Sequence, residues 1–131
     1  MRIAVDTNVL VRAVVRDEPK QAEIAAKTLI KAEVLAVGTS CLCEFVWVLR
    51  RVYEFTPTAI AAAIRELIEA ANVETNRPAV EAGLAVLEAG GDFADGAIAY
   101  EGRWLGGDTF VSFDRKAVEM LTAQGQAARL L

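Results

Sequence analysis

The side chains in this sequence with the widest scope for chemistry are carboxylates, because its 131 residues include 18 Asp plus Glu and no histidine. The missing imidazole excludes Ser-His-Asp and Cys-His catalysis, histidine zinc sites and imidazole general bases. Five acids stand out by position. Asp6 directly follows the apolar run 2–5, and Asp114 directly follows the run 109–113. Asp92 and Asp95 come just after Gly90-Gly91, and Glu44 interrupts the apolar stretch around Phe45. Hard oxygen donors, with few nitrogens and no soft sulfur, favour Mg²⁺ or Mn²⁺ over zinc or copper. A carboxylate-bound Mg²⁺ that keeps several waters suits phosphodiester hydrolysis, since it polarises the phosphate and supplies an activated water.

The elements that must position these acids follow from the apolar pattern. Residues 2–5 read as a strand that ends in Asp6-Thr7-Asn8, a turn or helix cap. Pro19 opens a helix with Ala22, Ala25, Ala26, Leu29 and Ile30 as its apolar stripe. Residues 34–37 form a second buried strand, and Thr39-Ser40 caps a largely buried helix that reaches about Tyr53. Helices follow from Pro57 (with Ile60, Ile64, Leu67 and Ile68 in register), from Pro78, and from Asp92 to about Trp104. Val73 marks a short strand, 109–113 another, 114–123 a helix and 128–131 a possible last strand. Short apolar strands alternating with helices predict a three-layer α/β/α domain around a central, mostly parallel sheet of four to five strands.

Sites in such sheets gather beyond the carboxyl ends of the strands, which is where all five acids are expected. Bringing them together is costly: two like charges about 4 Å apart repel by roughly 4 kcal/mol at an effective dielectric of about 20. Such a cluster holds raised pKa values or a cation. Each acid has a competing structural role. Asp92 and Asp114 suit helix N-caps, and Asp95 suits the third helical position of a capping box. Asp6 at a buried strand end and Glu44 in an apolar helix are harder to explain that way, an ion pair with Arg50 or Arg51 being the alternative for Glu44.

In this order the motifs resemble the PIN-domain ribonucleases, and among them the VapC-type toxins of type II toxin–antitoxin systems. Val5-Asp6-Thr7-Asn8-Val9-Leu10 is similar to the opening D-T-N motif, and Ser40-x-x-x-Glu44 to the second. Asp92-Phe93-Ala94-Asp95-Gly96-Ala97-Ile98-Ala99 resembles D-F-x-D-A-x-I-A, and Phe110-Val111-Ser112-Phe113-Asp114-Arg115 the closing T-F-D-R segment. The resemblance spans essentially the whole chain. It implies that Asp6, Glu44, Asp95 and Asp114 are the catalytic, metal-binding acids, with Asp92 auxiliary and Asn8 and Ser112 as polar supports for Asp6 and the site waters. It further implies an endoribonuclease using Mg²⁺, with Mn²⁺ able to substitute, that leaves a 5′-phosphate and a 3′-hydroxyl. A VapB-like antitoxin, an RNA substrate and a homodimer are the implied partners. Gly96 stands where the family has alanine, which loosens a helix start by up to about 1 kcal/mol.

Composition bounds the rest. The formal net charge is −4 and 54% of residues are hydrophobic, which excludes a disordered chain and a general nucleic-acid coat. The length predicts one domain over 1–131. No stretch reads as a signal peptide or a spanning helix, and Cys41 and Cys43 read as buried thiols in a reducing compartment, so a cytoplasmic location is expected. Arg115 and Lys116, beside Asp114, are the best candidates for guiding RNA backbone. Trp47, Tyr53 and Trp104 are expected in the core rather than stacking on bases. The Ile60, Ile64, Leu67, Ile68 stripe and the helix around 45–53 are the candidate dimer contacts, with simple core packing the rival reading for both. Two alternatives are a non-toxin PIN nuclease in RNA maturation and a phospho-receiver module, which needs a phosphoacceptor Asp ending a middle strand.

Overall fold

A computed structural model describes residues 1–131 as seven helices and five short strands, and its contacts sort into two compact units, Met1–Asn76 and Arg77–Leu131. The first unit runs β1 (Arg2–Ala4), α1 (Thr7–Val15), α2 (Pro19–Lys31), β2 (Val34–Ala36), α3 (Thr39–Arg51), α4 (Pro57–Glu69) and β3 (Val73–Glu74). Its sheet has the order β1-β2-β3, all parallel, with Ala4 opposite Ala36 and Leu35 opposite Val73. Local chemistry sets the helix starts. The Asp6 carboxylate accepts from the Thr7 amide, Pro19 and Pro57 fill first turns, and the Thr56 hydroxyl accepts from Ala59 N–H.

Leu35, Phe45, Leu49, Ile60 and Ile64 are all buried in this unit. Each side chain of this size stabilises the fold by about 1.5–3 kcal/mol on leaving water. Ile60, Ile64 and Ile68 therefore belong to the core, the rival of the two readings of that stripe. Phe45 is buried too, whereas Trp47, two residues on, is 57% exposed.

The second unit runs α5 (Arg77–Glu88), α6 (Phe93–Trp104), β4 (Phe110–Ser112), α7 (Arg115–Ala123) and β5 (Ala128–Leu130). Strands β4 and β5 pair in parallel, with Phe110 opposite Ala128 and Ser112 opposite Leu130. Helices α5 and α6 pack closely because two glycines let them. A Cβ at Gly96 would stand 2.8 Å from the Ala82 carbonyl carbon and 2.9 Å from the Gly83 Cα, and one at Gly83 would meet the buried Phe93 ring at 2.6 Å. Gly96 thus tightens the start of α6 rather than loosening it, because the missing side chain admits a neighbouring backbone.

The α/β class and the parallel pairing are as expected. The hydrogen-bonded sheets number two, of three and two strands, where one sheet of four to five was expected. Strands of two or three residues carry few ladder bonds, so the apolar runs mark where strands lie without marking which of them join. The aromatic expectation fails at Trp47 and at Trp104, which is 77% exposed at the end of α6.

Candidate active site

In the first unit the acids stand on the two segments that leave β1 and β2. The strands are parallel and level at Ala4 and Ala36, so α1 and α3 start from the same sheet edge. Asp6 is the extended N-cap of α1, and its Oδ1 accepts from Thr7 N–H at 2.8 Å. It is exposed and does cap, against the expectation of a buried strand end. Glu44 lies in the second turn of α3, three residues after Cys41 and hence on the same side of the helix. It too is exposed, and no ion pair joins it to Arg50 or Arg51. The apolar letters around Glu44 concealed a wet strip on α3 that also carries Trp47 and Arg51.

Between these acids lies Cys41, half-buried and free. Its Sγ accepts from the Thr7 hydroxyl at 3.7 Å and donates to the Val5 carbonyl at 3.6 Å. Burial raises its pKa, the bond from Thr7 opposes the rise, and the charges of Asp6 and Glu44 add to it. Both carboxylates therefore act on one sulfur, which remains a thiol and keeps its proton to donate. Asn8 is exposed and lines a cavity of about 240 Å³ with Val9, Arg12, Ile24 and Thr28.

The second unit gathers three acids. Asp92 caps α6, its Oδ1 accepting from Ala94 N–H at 3.2 Å. Asp114 caps α7, its Oδ1 accepting from Lys116 and Ala117 N–H at 3.0 and 3.2 Å. The Ser112 hydroxyl accepts from Asp114 N–H at 2.9 Å, so its support goes to Asp114. Asp95 sits in the first turn of α6, where burial first, and then the charges of Asp92 and Asp114, push its pKa up to about 6. Arg115 and Lys116 are exposed at the start of α7.

The raised Asp95 pKa fixes the sign of a pH effect. Between its ordinary value of 3.8 and about 6 the folded protein holds more protons on Asp95 than the unfolded chain does. This acid's contribution to stability therefore falls as pH rises through that window, and the penalty persists above it. In EDTA, Asp95→Asn is expected to be more stable than the parent at pH 7.5 and no more stable at pH 3.5, by urea unfolding. An equal difference at both pH values would contradict the shift.

The donor chemistry fits a hard divalent cation. Carboxylate oxygens form both groups, and beside the burial that chiefly holds back the ionisation of Asp95 the charges of Asp92 and Asp114 add a repulsion that a cation relieves. Within either unit, no three side chains of ligand type surround one point. The two cysteines expected to be buried are only half-buried, and the companionship of Cys41 and Thr7 with the acids does not follow from the motifs. The one available signal was a hydroxyl and a thiol, each next to or one turn from an acid.

No helix is long and apolar enough to cross a membrane. Comparison with curated proteins finds no match. The family model of the PIN domain matches residues 3–120, an interval that contains all five acids together with Ser112, Arg115 and Lys116. PIN domains are generally metal-dependent nucleases, a class that the histidine-free, carboxylate-based chemistry described above suits, and by this match the chain belongs to the PIN domain family.

Proposed function

We propose that the protein is a Mg²⁺-dependent endoribonuclease of the VapC type, a toxin held in check by a cognate antitoxin. The observation that carries this reading is the PIN domain match, in a chain whose half-buried Asp95 sits one turn from the cap Asp92 and is pushed up to about 6, first by burial and then by the charges of Asp92 and Asp114. Asp6, Glu44, Asp95 and Asp114 would hold the ion, which when bound polarises the scissile phosphate and supplies an activated water. The chain's own contribution is orientation. Helix caps fix the Asp6 and Asp114 carboxylates, and Ser112 fixes the backbone of Asp114. Asp92 tunes its neighbour, and Arg115 and Lys116 offset the charge of RNA backbone.

The apolar surface left on this chain supports protein partners as well. Ile24 and Ile30 on α2 are 65% and 80% exposed, and the cavity beside Asn8 opens next to Ile24. An antitoxin segment in that cavity, and a homodimer, complete the proposal. The receiver alternative lacks its central residue, since the middle strand β2 ends in Ala36-Val37-Gly38.

The test is cleavage of total RNA with end mapping. Cutting in Mg²⁺ or Mn²⁺, none in EDTA, and products with 5′-phosphate and 3′-hydroxyl ends are expected. A small protein should co-purify from the native host and suppress cleavage. Undiminished cutting in metal-free buffer would sink the mechanism, and a partner-free monomer by light scattering would favour the RNA-maturation nuclease.

A further inference from the structure

We propose that Cys41 and Thr7 are positioning residues that hold Asp6 in place against the Glu44 helix for metal binding. This rests on the nuclease reading above.

The two bonds of the Cys41 sulfur reach the residues on either side of Asp6. The Thr7 hydroxyl donates to Sγ, and Sγ donates to the Val5 carbonyl. The β1–α1 turn is thereby tied, before and after its acid, to a side chain one turn ahead of Glu44 on α3. Thr7 is the only polar residue of the chain counted as buried, at 4% exposure. A buried hydroxyl needs a partner, and this one is met by the sulfur. The Thr7 amide meanwhile donates to Asp6 Oδ1. One residue thus orients the carboxylate through its backbone and anchors the turn through its side chain. At 3.6 and 3.7 Å these contacts suit a large sulfur, and an oxygen in its place would stand beyond ordinary hydrogen-bond length.

The experiment is a double-mutant cycle on Cys41→Ala and Thr7→Val, with Thr7→Ser as the rescue. Thr7→Val keeps the shape and removes the hydroxyl. Mn²⁺ binding is measured by calorimetry, and cleavage is split into kcat and KM. Each single variant is expected to weaken Mn²⁺ about tenfold, in line with the loss of an outer partner of a metal ligand. Cleavage should lose kcat with little change in KM for RNA. The double variant should be no worse than either single, because both break one chain of bonds. Thr7→Ser should bind Mn²⁺ as the parent does. Parent-like Mn²⁺ binding in both singles, or fully additive losses, would overturn the proposal.

Hydrogen exchange at the backbone amide of residue 7, taken relative to the intrinsic rate of the residue present, gives a readout that needs no metal, and it should quicken several-fold in both single variants. Unchanged exchange overturns the clasp whatever the metal does. Quickened exchange in a protein that binds no Mn²⁺ overturns the nuclease reading instead.

Discussion

Asp6→Asn and Asp114→Asn are expected to fold as the parent does and to lose RNA cleavage by at least about 1,000-fold, which is roughly 4 kcal/mol of transition-state stabilisation. The structure makes this separation sharp because both acids are N-caps. Asparagine caps a helix about as well as aspartate, so the bonds from Thr7, Lys116 and Ala117 N–H survive the change. What disappears is the charge, and a bound divalent cation supplies several kcal/mol of charge stabilisation to phosphoryl chemistry. Asp6→Ala serves as the counterpart and should cost about 1 kcal/mol of stability in addition. Glu44→Gln should follow the Asn variants in activity with no loss of stability, since Glu44 is exposed and caps nothing. Melting with and without Mg²⁺ checks the assignment. Mg²⁺ at 100 Kd stabilises a binding-competent fold by about 2.7 kcal/mol, and this increment should vanish in the variants. Variants that melt early yet cleave normally would reduce these acids to caps.

Gly96→Ala is expected to destabilise the protein by about 3 kcal/mol, the upper part of the range for forcing extra volume into a packed contact. Helix propensity alone predicts the opposite sign, a gain of up to about 1 kcal/mol. Packing wins because the new Cβ would meet the Ala82 carbonyl and the Gly83 Cα, backbone atoms that cannot swing aside as a side chain can. Asp95 precedes Gly96 in the same turn, so cleavage should fall along with stability. Urea unfolding measures the first effect and the initial cleavage rate the second. A variant as stable as the parent would show that α5 and α6 separate at little cost.

Much of this was legible in the sequence, and the reasons differ by feature. Helix starts at Pro19, Pro57, Asp92 and Asp114 were legible because caps and prolines act within a few residues of where they stand, whereas Asp6-Thr7-Asn8 read equally as a turn and left α1 unannounced. Strand positions were legible from apolar runs, but the division into β1-β2-β3 and β4-β5 depends on pairing that no local signal carries. The exposure of Glu44 and Trp47 was missed because α3 is apolar enough to hide a narrow wet strip. The family motifs named the acids. They could not show that Ser112 serves Asp114, that Cys41 bonds both neighbours of Asp6, or that Gly96 is a point of contact between helices. Those facts arise from distances between segments far apart along the chain.

The boundary between the two units has a consequence for synthesis. Both are contiguous in sequence, and every strand of the first sheet pairs within Met1–Asn76. A ribosome adding roughly 5–20 residues per second needs seconds to deliver Arg77–Leu131 after Asn76. Non-local strand pairing takes on the order of milliseconds to a second, so even this all-parallel sheet has time to close before the second unit is complete. The nascent chain then presents a paired sheet instead of three loose apolar strands. The order of the letters spares the growing polypeptide a long interval of sticky, open edges.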